Sequence, residues 1–211
     1  MTLHPTPALI NSLYWITLVA VVVSSASGVL KAGFKKYDLF GVIIIAVATG
    51  LGGGSLRDML LDREVFWIRD QVFFVASLGS AIAMFITARL VIISPRFFLI
   101  PDAAGLATFG IAGTLVSMMV GAPWLVASFM GVMTGTMGGI FRDILSNEPP
   151  VVFGSTLYAT VSWLGSLLFI GLLYLQIDAT LAAIIAGTSI FISRMLAIRF
   201  KICLPKFRFK T

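Results

Sequence analysis

The sequence predicts an all-α membrane protein with seven transmembrane helices: an inverted 3+3 repeat plus a seventh helix, with helices 2 and 5 broken at glycine motifs. Three observations predict this fold class: an apolar composition, long stretches without charge, and a glycine-rich motif that recurs 85 positions later. Hydrophobic residues make up 59% of the 211 residues and charged residues 11%, and the mean hydropathy is +1.04. Because a soluble domain carries about 25% charged residues, this composition excludes a soluble enzyme, a disordered chain and a nucleic-acid-binding domain.

The charge-free stretches set the number and order of the helices, since a transmembrane helix needs about 20 mostly apolar residues. These stretches occupy 2–30, 39–56, 71–88, 103–141, 149–177 and 179–193. The first three predict helices 1 to 3 at 9–31, 38–61 and 69–93. The fourth is long enough for helices 4 and 5, at 99–119 and 123–146, because Pro123 suits the first turn of a new helix. The last two predict helices 6 and 7 at 153–175 and 178–200.

Basic residues are distributed unequally between the two sides of the predicted membrane. The side of the N-terminus carries 3 of them, Arg57, Arg63 and Arg69, and the other side carries the remaining 12 of the 15. Cytoplasmic loops are enriched in Lys and Arg, so we expect the N-terminus outside and the C-terminus in the cytoplasm. The net charge of +6 is explained by this topology, and no nucleic-acid partner is expected.

A repeat relates the two halves of the chain. Segment 46–60 matches segment 131–145 at 8 of 15 positions, and the same offset of 85 relates Asp38 to Pro123, two residues typical of helix starts. The repeated unit is three helices, an odd number, so the second copy crosses the membrane in the opposite direction, as in many transporters. We therefore divide the single transmembrane domain, 1–211, into a first repeat at 9–93, an inverted second repeat at 94–175, a seventh helix at 176–200 and a basic cytoplasmic tail at 201–211.

Glycine clusters lie near the middle of helices 2 and 5. Gly50 and Gly135 each follow the helix-start residue by 12 positions, about 18 Å into a membrane core about 30 Å thick. One interpretation is close helix packing, which small residues permit. The other, which the duplication favours, is a pair of broken helices whose backbone lines a polar path. The candidate residues of this path are Thr49, Gly50, Gly52, Gly53, Gly54, Ser55, Thr134, Gly135, Gly138 and Gly139.

An Arg-Asp pair follows each glycine cluster. Arg57-Asp58 and Arg142-Asp143 complete the candidate ion pathway, because ionisable groups within a membrane span are costly and usually functional. Adjacent residues on a helix point in different directions, so each arginine is expected to need a partner other than the next aspartate, or water. We expect one pair in each of two vestibules; the alternative is that both pairs only mark the ends of helices.

Two further charged features lie outside the glycine motifs. Asp102 follows Pro101 near the start of helix 4 and is interpreted as a helix cap; its partner in the first repeat is Thr17. Basic residues alternate with apolar ones from Arg194 to Lys210, a pattern expected to lie on the anionic inner leaflet. The candidate lipid contacts are Arg199, Lys201, Lys206, Arg208 and Lys210.

The glycine-rich segments ending in Arg-Asp, the Asp-Leu-Phe-Gly-Val segment at 38–42 and the Phe-Trp pair at 66–67 resemble a known family. It comprises the prokaryotic trimeric intracellular cation (TRIC) channels and is also described as glycine-transporter-like. The resemblance implies a homotrimer in the prokaryotic plasma membrane, with an hourglass pore in each subunit. Helices 2 and 5 would bend at their glycines and line this pore for monovalent cations such as potassium. Thr17 stands where many relatives carry an acid.

The sequence leaves three function classes to distinguish. The resemblance implies a passive channel for K⁺ or Na⁺. The residues alone do not decide the sign of the transported charge, because broken helices would present both C-terminal ends, which favour a cation, and N-terminal ends, which favour an anion. A carrier for a small solute such as glycine is the alternative, since a zwitterion would use both kinds of helix end. An enzyme is not expected, because the predicted spans carry no histidine and no Cys–His pair, and no cofactor is implied. The expected partners are two further copies of the chain and membrane lipids.

Overall fold

The computed structural model describes residues 6–35, 37–94, 96–154 and 156–205, and all regular structure in these ranges is helical. The seven long helices are α1 (Pro7–Ala32), α2 (Leu39–Leu60), α3 (Gln71–Leu90), α4 (Leu99–Met119), α5 (Trp124–Leu145), α6 (Ala159–Tyr174) and α7 (Ala179–Phe200). A one-turn helix, Phe66–Arg69, precedes α3, and a 3₁₀ turn, Val151–Phe153, precedes α6. Six of the long helices are long and apolar enough to cross a membrane, and α6, with 16 residues, is shorter. The protein is a multi-pass membrane protein.

The helix starts follow local capping chemistry. The Asp38 carboxylate accepts the Gly41 N–H at 2.7 Å and caps α2, and α5 begins directly after Pro123. Helix α3 begins at Gln71, not at the predicted 69, because the carboxylate of Asp70 accepts the Val72 N–H at 3.0 Å.

The predicted sixth helix, 153–175, begins late. Prolines 149 and 150 are followed by the separate 3₁₀ turn, and Tyr158 just before α6 is not helical, with φ −131° and ψ −77°. A residue before proline avoids the helical region, so the chain cannot run directly from α5 into α6. The helix therefore starts at Ala159, six residues after the predicted position.

The two repeats pack alike. In each, the first helix contacts the second and third, and the second contacts the third; between the repeats α1 packs on α4 and α2 on α5. Helix α7 packs mainly on α4 and α6, and these three helices supply most of the apolar core cluster at that side of the bundle. The correspondence extends to single residues: Asp62 and Asn147, 85 positions apart, both have φ 51° directly after α2 and α5.

The repeat is inverted. On the facing helices, Gly53 lies against the Thr134 carbonyl oxygen and Gly138 against the Thr49 carbonyl oxygen. As the chain advances from Thr49 to Gly53 on α2, the contacted residue moves back from Gly138 to Thr134 on α5, so the two helices are antiparallel. Reciprocal contacts of this kind define a two-fold relation between the copies, as the repeat in the sequence predicts.

The expected breaks at the glycine motifs are wrong. Both α2 and α5 run as single α-helices through their glycines, over residues that the structure describes without a gap. The glycines instead remove side chains where other helices approach, which is how small residues stabilise helix pairs in membranes. Interhelical packing thus offsets the roughly 1 kcal/mol that each glycine costs a helix relative to alanine.

Candidate ion-pathway site

Helices α2 and α5 cross in direct backbone contact within the predicted path. A Cβ atom added to Gly53 would overlap the Thr134 carbonyl oxygen, and one added to Gly138 would overlap that of Thr49. The hydroxyl groups of Thr49 and Thr134 donate to carbonyl oxygens of their own helices, of Ile45 at 2.6 Å and of Met130 at 2.7 Å. An ion therefore has no room directly between the two helices at this contact.

Four other glycines of the motifs face four different neighbours. Gly50 faces Ser25 on α1, Gly135 faces the Leu106 carbonyl on α4, and Gly52 and Gly54 face the rings of Phe141 and Phe66. Ser55 donates to the Leu51 carbonyl at 2.8 Å and accepts from the Trp67 indole at 2.8 Å.

Gly139 alone among the candidate glycines faces a group of charged and hydroxyl side chains. A Cβ there would lie 3.1 Å from the Tyr158 hydroxyl, 3.5 Å from Arg142 Nη2 and 3.6 Å from Asp102 Oδ1. The structure thus places most of the glycines at packing contacts and one beside a buried ionic group.

The first ionic group, here called the repeat-one cluster, consists of Arg57, Asp58 and Phe66. Arg57 Nε and Nη2 lie 2.9 and 2.8 Å from Asp58 Oδ1, and Asp58 Oδ2 accepts the Phe66 N–H at 3.0 Å. The guanidinium carbon is 5.7 Å from the centre of the Phe66 ring. Both charged side chains are at most 3% exposed, and within the described part of the chain Arg57 Nη1 has no hydrogen-bond partner.

The second ionic group, the repeat-two cluster, consists of Arg142, Asp143, Asp102, Ser27, Tyr158 and Arg194. Arg142 Nε donates to Asp143 Oδ1 at 2.9 Å, and Arg142 Nη1 donates to Asp102 Oδ1 at 2.5 Å and to Ser27 Oγ at 3.1 Å. Asp143 Oδ2 accepts the Val151 N–H at 2.8 Å, as Asp58 accepts the Phe66 N–H in the other copy.

The expectation that each arginine needs a partner other than the adjacent aspartate is confirmed for Arg142, which also bonds to Asp102 and Ser27, but the premise that the adjacent residues cannot pair is wrong. Arg57 and Arg142 both bond to the carboxylate that follows them. The directions of the Cα–Cβ bonds do differ between neighbours on a helix, but the long arginine side chain folds back until its guanidinium lies beside the short aspartate. The two Arg-Asp pairs do not contact each other, as the antiparallel arrangement predicts.

The interpretation of Asp102 as a helix cap is also wrong. Asp102 lies in the first turn of α4, whose N-cap residue is Phe98. Its Oδ1 accepts from Arg142 and, at 3.2 Å, from the Tyr158 hydroxyl. Asp102 is buried and is the second acid beside the Arg142 guanidinium, and its Oδ2 has no partner among the described residues.

Arg194 and Tyr158 are site residues that the sequence did not reveal. The sequence pattern groups Arg194 with the basic tail, yet Arg194 lies within α7 and is 0% exposed. It donates to Thr156 Oγ1 at 2.9 Å and to the Leu157 carbonyl, and its guanidinium carbon is 4.6 Å from the centre of the Tyr158 ring. The available signal was its position inside predicted helix 7, where a charge is costly unless it has partners.

The copies differ in the residues around their arginines. At the offset of 85, Asp102 corresponds to Thr17, Tyr158 to Phe73, and Ala112 to Ser27. Arg57 therefore has one acidic partner among the described residues, whereas Arg142 has two. The repeated backbone carries two electrostatically different sites.

A surface ion-pair cluster lies between the ends of α1 and α5. Glu148 is 2.8 Å from Lys35 and 3.2 Å from Lys31. Hydrogen bonds from Lys35 and Lys31 lower the pKa of Glu148 below its usual value. The Lys31 ammonium also lies 4.9 Å from the centre of the Phe98 ring. The Arg142 guanidinium carbon lies 5.1 Å from the same ring centre. Phe98 thus lies between this surface cluster and the buried repeat-two cluster.

The candidate lipid contacts lie at and beyond the end of α7. Arg199 and Lys201 are exposed, and Lys201 ends the helix in a left-handed conformation with φ 54°. Lys206, Arg208 and Lys210 lie outside the described residues. Among the residues described, no group of three His, Cys, Asp or Glu side chains is arranged to hold a metal ion.

A protein-family model and several curated proteins match this chain. The family model is described as "Glycine transporter" and matches twice, at 14–89 and 99–174, two ranges 85 positions apart. The UPF0126 inner membrane protein YadS of Escherichia coli K12 is 34% identical over 197 residues, which cover 92% of this chain and 95% of that protein. A UPF0126 membrane protein of Vibrio cholerae is 36% identical and covers 92% of this chain, which spans 82% of that relative.

Solved structures show the same fold. The TRIC trimeric intracellular cation channel orthologue from Rhodobacter sphaeroides is 32% identical and superposes with a TM-score of 0.86, over 90% of this chain and 98% of that one. A prokaryotic TRIC channel solved in 0.5 M KCl is 28% identical, with a TM-score of 0.82 over 91% and 98% of the two chains. The chain therefore belongs to this family of UPF0126 and prokaryotic TRIC-type membrane proteins.

Proposed function

We propose that the protein is a cation channel that conducts monovalent cations, potassium among them, through a pore in each subunit of a homotrimer. The observation that carries this proposal is the match over nine-tenths of the chain to a solved TRIC cation channel, with a TM-score of 0.86 and 32% identity. Identity at this level over nine-tenths of the chain makes a shared mode of transport the simplest inference. The transported ion is the only ligand this function requires.

The proposed pore runs along α2 and α5. Its candidate lining is the predicted set on these helices, from Thr49 to Asp58 and from Thr134 to Asp143. Since a carbon atom does not fit between Gly53 and the Thr134 carbonyl, we propose that the described conformation is closed at this crossing. Opening would then require a small separation of two unbroken helices, and the two ionic clusters would lie on opposite sides of the constriction.

The proposed location is the inner membrane of a prokaryote, with the C-terminus in the cytoplasm. The support is the unequal distribution of Lys and Arg, 12 on one side and 3 on the other. The basic residues from Arg199 onward would then contact anionic lipid of the inner leaflet.

The experiment that tests the channel is planar-bilayer recording of the purified protein. We expect discrete unitary currents in symmetric KCl, and a reversal potential that shifts toward the potassium equilibrium potential when a KCl gradient is applied. A sample denatured by heat before reconstitution is the control for contaminating pores. Silent bilayers, or currents that reverse at the chloride potential, would contradict the proposal.

The second candidate function is a carrier for glycine, which the description of the matching family model favours. The same preparation in liposomes distinguishes the two, because a carrier gives saturable uptake of labelled glycine without unitary currents. Saturable glycine uptake together with silent bilayers would replace the channel by the carrier. Unitary potassium currents without glycine uptake would reject the carrier.

A further inference from the structure

The repeat-two cluster is electrically balanced by a residue that belongs to neither repeat. Asp102 gives this cluster a second carboxylate, which the repeat-one cluster lacks because Thr17 occupies the equivalent position. Arg194 gives it a second guanidinium from α7, the helix outside the repeat. All four charged side chains, of Asp102, Asp143, Arg142 and Arg194, are at least 95% buried. Two negative and two positive groups are therefore enclosed together, as the cost of burying an unbalanced charge requires.

Tyr158 connects Arg194 to the rest of the cluster. Its hydroxyl donates to Asp102 Oδ1 at 3.2 Å, and its ring lies 4.6 Å below the Arg194 guanidinium carbon. Arg194 is fixed from its other side by Thr156 and Leu157. The series of contacts from Arg194 through Tyr158 and Asp102 ends at Arg142 on α5, beside Gly139.

We propose that Arg194 is a positioning residue for the ion pathway. Through Tyr158 it balances the negative charge of Asp102, and so holds the Arg142 side chain in place within the repeat-two cluster. It thereby sets the electrostatic potential along that half of the path. This inference rests on the proposed channel function. The helix outside the repeat thereby makes the two halves of a two-fold symmetric pore unequal.

The sign of the effect on conductance tests this proposal. Arg194→Gln leaves the cluster with a net charge of −1, so it concentrates cations and raises unitary potassium conductance. Asp102→Asn leaves a net charge of +1 and lowers it. Each change is expected to be roughly twofold, the effect of one unit charge about 10 Å away through water. The double variant, Arg194→Gln with Asp102→Asn, is neutral and returns to the wild-type conductance. A purely structural role would impair conduction in the same direction in both single variants.

Two control variants isolate the mechanism. Arg89→Gln removes an arginine that also lies 4.6 Å from an aromatic ring, that of Phe85, but is exposed, and should leave the conductance unchanged. Arg194→Lys keeps the positive charge, and it replaces Arg194→Gln as the test if Arg194→Gln does not assemble. Its conductance should stay near that of the wild type.

Thermal unfolding in detergent separates this inference from the channel proposal. Whether or not currents are seen, Arg194→Gln and Asp102→Asn should each lower the midpoint temperature of unfolding. The double variant should lower it by less than the sum of the two single decreases. If wild-type bilayers are silent but the losses of thermal stability are non-additive, the channel proposal is rejected and the charge balance between Arg194 and Asp102 is retained. Additive losses, or conductance changes of the same sign in both single variants, would overturn the role proposed for Arg194.

Discussion

At the scale of residues, the equivalent arginines Arg57 and Arg142 have unequal support. Both bond to the next aspartate, but among the described residues only Arg142 has a second acid, Asp102, and a serine hydroxyl from α1. The sequence predicts the two Arg-Asp pairs because they stand at the same place in the repeat. It does not predict the second acid's role, because an aspartate near a helix start has the same local pattern whether it caps that helix or reaches a neighbouring one.

The unequal support predicts unequal costs of removing the adjacent aspartates. Asp58→Asn leaves Arg57 buried without an acidic partner, which should cost about 3–5 kcal/mol, the usual penalty for breaking a buried ion pair. Asp143→Asn leaves Arg142 bonded to Asp102 and should cost clearly less. The amide oxygen of asparagine can still accept the Phe66 or Val151 N–H, so the two variants are matched. Thermal unfolding in detergent measures both, and equal losses would show that Asp102 does not compensate.

At the scale of elements, helix existence and helix continuity differ in how well the sequence determines them. The starts of α2 and α5 follow from Asp38 and Pro123, which act on the local backbone. The continuity of both helices depends on an interhelical contact, Gly53 against Thr134 and Gly138 against Thr49, and no local pattern reports such a contact. Consecutive glycines are therefore equally consistent with a break and with a close crossing.

The crossing predicts that single methyl groups destabilise the pair α2–α5. Gly53→Ala and Gly138→Ala should each cost about 1–3 kcal/mol, because the added carbon meets a backbone carbonyl that cannot rotate away. Gly79→Ala on α3 and Gly171→Ala on α6 are the controls: no described atom lies within 4 Å of the added carbon at either position. These should be neutral or slightly stabilising, since alanine favours a helix over glycine. Unfolding midpoints that rise equally in all four variants would show that helix propensity, not the crossing, dominates, and an equal fall in all four would show that the crossing is not the cause.

At the scale of the whole molecule, the sequence predicts the repeat but not the difference in charge between the ionic clusters of its two copies. An offset of 85 aligns the motifs, and the same offset separates equivalent contacts in the structure, including the matching φ angles at Asp62 and Asn147. The seventh helix has no copy to be aligned with, so nothing in the repeat indicates that Arg194 completes the second half. Residues that break a symmetry are found only when the packed neighbours of each copy can be compared.

The orientation of the whole molecule is the remaining prediction, and a native residue can report it. Cys203 is the only cysteine of the chain, and it is a free, exposed thiol three residues after α7 ends. If the side with 12 basic residues is cytoplasmic, a membrane-impermeant maleimide should not label Cys203 in intact spheroplasts and should label it in inverted vesicles. The matched probe for the opposite side is Glu64→Cys in a Cys203→Ser background, since Glu64 is exposed in the connection after α2. It should be labelled in spheroplasts and protected in sealed inverted vesicles. Labelling of Cys203 from outside would reverse the topology, and with it the side from which the repeat-two cluster is reached.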